Sequence, residues 1–128
     1  MRRALPIGAL ALASCAAINP APYDAPTYSY QDIDLSGVLS GRLEIRDNCL
    51  VLIEAEGHAF HLIWPDRSSF TSDGVLFDNG KMSRRIALGS TIRLFGGFNN
   101  LSPANASSYG AENCLGVAFL INSVEPAS

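Results

Sequence analysis

The sequence predicts an all-β domain of short strands, and three observations carry that expectation. No long stretch of the 128 residues repeats apolar side chains at a 3.6-residue period, as an amphipathic helix would. Several segments of strand length instead alternate apolar and polar residues or are apolar throughout. Between them Gly, Pro, Asn and Asp recur at short intervals, where tight turns need them. A chain of this length allows one domain.

The first strand is expected over residues 35–46. Leu35, Gly37, Leu39, Gly41, Leu43 and Ile45 share one face, and Ser40, Arg42, Glu44 and Arg46 share the other, which is the period of a half-buried strand. Gly37 and Gly41 within it mark bends. Asp47-Asn48 is a tight-turn pair. Cys49–Ile53 is continuously apolar, as when both faces of a strand are covered. Residues 54–57 turn the chain again, and 58–64 return as a third strand that Pro65 ends.

A polar excursion over 66–74 follows. A hairpin comes next, with Val75-Leu76-Phe77 on one arm, Asp78-Asn79-Gly80 as its turn and a return through Ile86 and Leu88. A further strand is expected over 91–95, ended by Gly96-Gly97; residues 99–113 form a long loop, and 114–121 a last strand. A three-stranded meander, an excursion, a fourth strand, a loop and a last strand together look like an OB-type small β-barrel. The resemblance implies five to six strands in a closed or partly closed ring.

The first fifteen residues are of another kind. Arg2 and Arg3 precede an apolar run over 4–11, too short to span a bilayer and built like a secretory signal. Leu12-Ala13-Ser14-Cys15 resembles the lipobox of bacterial lipoproteins: an aliphatic residue, two small residues and a cysteine. The resemblance implies diacylglycerol on the Cys15 thiol, cleavage before Cys15 and acylation of the new amino terminus, which together anchor a protein to a lipid bilayer stably. Ala16 stands where an aspartate often signals inner-membrane retention, so the pattern resembles that of lipoproteins sent to the outer membrane, facing the periplasm. The expected organisation is a signal peptide over 1–14, a lipidated cysteine and Pro-rich tether over 15–31, and a β-barrel domain over 32–128. Pro20, Pro22 and Pro26 favour an extended tether, and Tyr28 and Tyr30 are expected to pack on the domain edge.

With Cys15 taken by lipid, Cys49 and Cys114 remain, and an oxidising compartment pairs them. Such a bridge would clamp the second strand to the last. A metal site of these thiols with His58 and His61 is not expected, because thiolates do not persist in that compartment.

The remaining chemistry is sparse. Without the leader arginines, seven basic residues face twelve acidic ones, a net charge of −5 that disfavours nucleic acid as a partner. Glu54, Glu56, His58 and His61 are the densest group of ligand-type side chains, but histidines three apart on a strand point to opposite faces. They read as turn and surface residues, as do Asp66, Asp73 and Asp78. Arg84-Arg85 near Lys81 reads as a solvated strand edge. No nucleophile motif is visible, so no catalytic residue, metal or cofactor is expected. The long loop, with Asn99, Asn100, Asn105 and Tyr109, is the candidate contact for a partner, because long loops in compact domains often carry function. The expected role is a non-catalytic binding or structural module whose partner is an envelope protein or the cell wall. An inhibitor presenting that loop to a lytic enzyme or protease, and a small hydrolase or metal-dependent enzyme, are the alternatives.

Overall fold

A computed structural model describes residues 21–31 and 35–126; the signal segment and Cys15 lie outside the described residues. The described chain is all-β. Its strands are β1 (Thr27–Tyr28), β2 (Gly37–Arg46), β3 (Cys49–Ile53), β4 (Ala59–Pro65), β5 (Ser69–Thr71), β6 (Gly74–Asp78), β7 (Ser83–Ala87), β8 (Thr91–Leu101) and β9 (Gly116–Pro126), with a single 3₁₀ turn at Ala106–Tyr109.

Five of these strands close on themselves. β2, β3 and β4 form an antiparallel meander, β8 returns to pair with β2, and β9 pairs antiparallel with β8 and parallel with β4. This is the OB-like connectivity that the order of segments suggests. The closure depends on glycine at the points of closest approach. β2 pairs with β8 through residues 37–42 and with β3 through residues 42–46, so Gly41 sits where it changes partners. A Cβ at Gly41 would lie 2.3 Å from the Ile53 carbonyl oxygen, and at Gly96 1.8 Å from that of Leu120. Only glycine fits there.

Gly96 also corrects the expected end of β8. The glycine pair does not stop the strand. It marks a break in register between Phe95 and Gly96, after which pairing with β9 continues to Leu101. Asn99 and Asn100 are therefore strand residues, opposite Ala118 and Val117, and the loop begins only after Leu101. The last strand correspondingly starts at Gly116 rather than at Cys114.

The turns follow their residues. Asp47 and Asn48 both take positive φ (52° and 65°), which gives the turn a twist that matches its flanking strands. At Asn79 the side chain closes a wider turn. Its Oδ1 accepts from the backbone N–H of Lys81 and Met82, and its Nδ2 donates to the Asn122 carbonyl. The excursion becomes a separate three-stranded sheet, β5–β6–β7.

Two apolar cores result. The inner one fills the ring with Leu39, Leu43, Leu50, Leu52, Leu62, Trp64, Leu94 and Phe119, and Val75, Phe77 and Ile86 of the excursion sheet cap it. The second core lies on the outside of β3, β4 and β9, where Cys49, Val51, Ile53, Ile63 and Ala118 are covered by Leu101 at the end of β8 and by Ala111 and Cys114 of the β8–β9 connection. Both cores are built from residues 23–126. Of the residues expected to form the tether, 21–31 are described, and from Tyr23 they are laid along the domain. Tyr23 is buried and its hydroxyl donates to the Gly74 carbonyl, Asp24 bridges to Cys49, and β1 pairs parallel with Trp64 and Pro65. Tyr28 packs on the outer core and donates to the Ile121 carbonyl, with Tyr30 beside it.

Candidate functional site

The outer core exists because β3 is apolar on both faces. Its inward residues, Leu50 and Leu52, fill the ring, while Cys49, Val51 and Ile53 need cover of their own. The β8–β9 connection supplies it by folding back across the outer face. Cys114, two residues before β9, is bonded to Cys49 at the start of β3, with Cα atoms 5.9 Å apart. The bridge therefore clamps β3 to the end of the connection rather than to the last strand itself.

The four loop residues singled out by sequence occupy different settings. Asn105 is an internal staple: its Oδ1 accepts from the Ser102 N–H, its Nδ2 donates to the Asn100 carbonyl, and its own carbonyl accepts from the Ser108 hydroxyl. Tyr109 is half-buried against the outer core. Asn99 uses its Oδ1 on the Asn100 N–H, while Asn100 is exposed on β8. Hydrogen bonds thus link Asn99, Asn100 and Asn105 to one another, while Tyr109 turns to the outer core.

A groove lies where the connection ends. A cavity of about 290 Å³ is floored by Cys49 and Val51 and walled by Arg46 and Asp47 of the β2–β3 turn, Ala59 and His61 of β4, and Asn113 and Leu115. Its polar groups are a guanidinium, a carboxylate, an imidazole and an amide, and its apolar wall is Leu115, which is 43 % exposed. Arg46 is steadied by Glu44 at 3.1 Å, and Arg42 and Arg46 together hold the Glu44 carboxyl below the usual range.

His61 is the groove's imidazole. It faces outward on β4, paired with Val51 and Ala118, and is half-buried beside the disulfide. Burial pushes its pKa below the ordinary histidine value, and a hydrogen bond to the Leu115 backbone works in the opposite direction. Its Nδ1 is buried without a hydrogen-bond partner. A histidine nitrogen and the two sulfurs lie within 4.8 Å of one another, but with both sulfurs in the S–S bond neither offers a thiolate. Sequence reasoning set His61 among surface residues. The only signal for its setting is that it sits opposite Val51, on the outer face of an all-apolar strand.

The other ligand-type group, Glu54, Glu56 and His58, is brought within 4.8 Å at the exposed β3–β4 turn. Glu54 there accepts from the His58 backbone N–H at 2.9 Å and lies 3.1 Å from its Nδ1, so the carboxylate closes the turn. Among the described residues, no helix is long and apolar enough to cross a membrane. Compared with known proteins, the chain matches no family model, no curated protein and no solved structure.

Proposed function

We propose that this chain is an envelope lipoprotein, anchored through Cys15, whose OB-like ring is a non-catalytic binding module. The observation that carries the binding reading is the groove at His61. There the β2–β3 turn and the end of the β8–β9 connection stand on either side of the outer face of β3 and β4. In OB-like folds this face and these two connections are where extended ligands lie. The disulfide holds one wall of the groove in place without a ligand, which lowers the ordering cost of binding. The mixed lining suits a polar, uncharged or weakly charged chain, such as a cell-wall glycan or an extended peptide of an envelope protein. The lipobox residues support the anchoring half, and on that reading the outer membrane is the site, with the domain on its periplasmic side.

Two measurements test the halves separately. Palmitate labelling of the intact chain should be lost in Cys15→Ala; labelling that persists in the variant overturns the anchor. An envelope component that co-purifies with the parent should be lost in Leu115→Arg, which places a bulky cation in the groove. Retention of that component by the variant overturns the binding face.

A further inference from the structure

We propose that the floor of the groove is a redox-gated copper site. As the disulfide it holds no metal; once a dithiol has reduced Cys49–Cys114, the two thiolates and the His61 imidazole bind one cuprous ion. The site lies beneath the seat proposed for a partner and does not depend on that reading.

The three side chains are already gathered. A ring nitrogen of His61 and the sulfurs of Cys49 and Cys114 lie within 4.8 Å of one another. Two ligand atoms on one ion, each at about 2.0–2.3 Å, stand no more than about 4.6 Å apart, so the ion needs only small shifts once the S–S bond is open. The His61 Nδ1 is buried with no hydrogen-bond partner. The hydrogen bond to the Leu115 backbone therefore falls to Nε2, which lies 3.8 Å from where a Cβ of Gly116 would be. Metal-bound histidines use that arrangement, with one nitrogen on the ion and the other N–H on a backbone carbonyl.

Each ligand is also held by contacts other than the disulfide. Cys49 is paired with Arg46 and bridged to Asp24, and His61 is paired with Val51 and Ala118. The Cys114 N–H donates to the Ala111 carbonyl at 3.2 Å, and Ala111 packs on the outer core. These contacts keep the sulfurs near each other when reduction loosens the connection. Two thiolates and an imidazole are a soft donor set. Among the described residues no carboxylate joins the group, and three ligands suit Cu(I), whereas structural zinc takes four.

Cys49 lines the groove, so a thiolate of the dithiol attacks its sulfur. The S–S bond breaks as a mixed disulfide forms, and Cys114 leaves as a thiolate and takes up a proton. The second thiol of the dithiol then closes its own disulfide and frees Cys49, so two electrons have passed from the dithiol to the protein. Cu(I) displaces both thiol protons without changing its oxidation state.

Residues 16–128 provide the test, since both cores lie within 23–126 and the Cys15 thiol is absent. Under exclusion of oxygen, Cu(I) is delivered as its bathocuproine disulfonate complex to protein reduced with dithiothreitol and then freed of it. The reduced chain is expected to take one copper and the disulfide form none. Hydrogen exchange in 102–115, raised by reduction, should fall again on loading. His61→Gln should weaken binding about 100-fold or more, beyond what loss of an outer-shell partner costs, whereas His58→Gln should leave it unchanged. Equal affinity of His61→Gln and the parent overturns the proposal. So does equal affinity of the reduced chain in urea, which would make any two thiols of the chain sufficient. Displacement of the copper by an equal concentration of Zn(II) overturns the choice of ion. Because no envelope component is present, failure of the partner reading would not alter this result.

Discussion

At the scale of single residues, Gly96 and His61 make opposite kinds of demand on the ring. Gly96 is needed for what it lacks: a Cβ there would fall 1.8 Å from the Leu120 carbonyl. Gly96→Ala must push β8 and β9 apart, and the expected loss is about 1–3 kcal/mol of stability, read as a lower urea midpoint with unchanged slope. At His61 the demand is on charge, since burial disfavours the protonated ring. Its folded pKa is depressed from 6.5 by burial, so below that value the unfolded chain takes up a proton before the folded chain does. The native state therefore loses stability as pH falls through the range below 6.5, while above it the contribution is complete. Urea midpoints measured from about pH 7 down to about pH 5 should fall less for His61→Gln than for the parent. Equal slopes would mean that another group carries the acid sensitivity.

At the scale of elements, the disulfide and the connection it pins are the central unit. Reduction of Cys49–Cys114, which closes a separation of 65 residues, should cost roughly 4 kcal/mol. It should also uncover Val51, Ile53 and Ile63, so hydrogen exchange should rise first in 102–115 and β3 while the inner core stays protected. Uniform loss of protection would contradict the division into two cores. The strands of the meander were legible because their cues are local: alternation in β2, an apolar β3, the Asp47-Asn48 turn and Pro65. The extent of β8 was not. Gly96-Gly97 is equally good chemistry for a turn and for a close strand crossing, and the difference lies in the Leu120 carbonyl, 24 residues away. The pairing of the cysteines followed from their number, but the groove they hold did not. His61, Arg46 and Asn113 meet only once β4, the β2–β3 turn and the connection are folded together.

At the scale of the whole molecule, the structure has two differently furnished regions. The excursion sheet caps the ring with Val75, Phe77 and Ile86. The outer face of β3 and β4 carries the groove, with one wall held by a disulfide. On the proposed reading the groove meets a partner in the periplasm. The pinned outer-face groove is the central claim, and in-cell photo-cross-linking tests it most directly. A photoreactive residue is placed at position 115 in the groove wall and, as a control, at position 38, where Val38 is 51 % exposed on β2. A discrete adduct with one envelope component from position 115 and none from position 38 is the predicted result. The same adducts from both positions, or an adduct from position 38 alone, would contradict it.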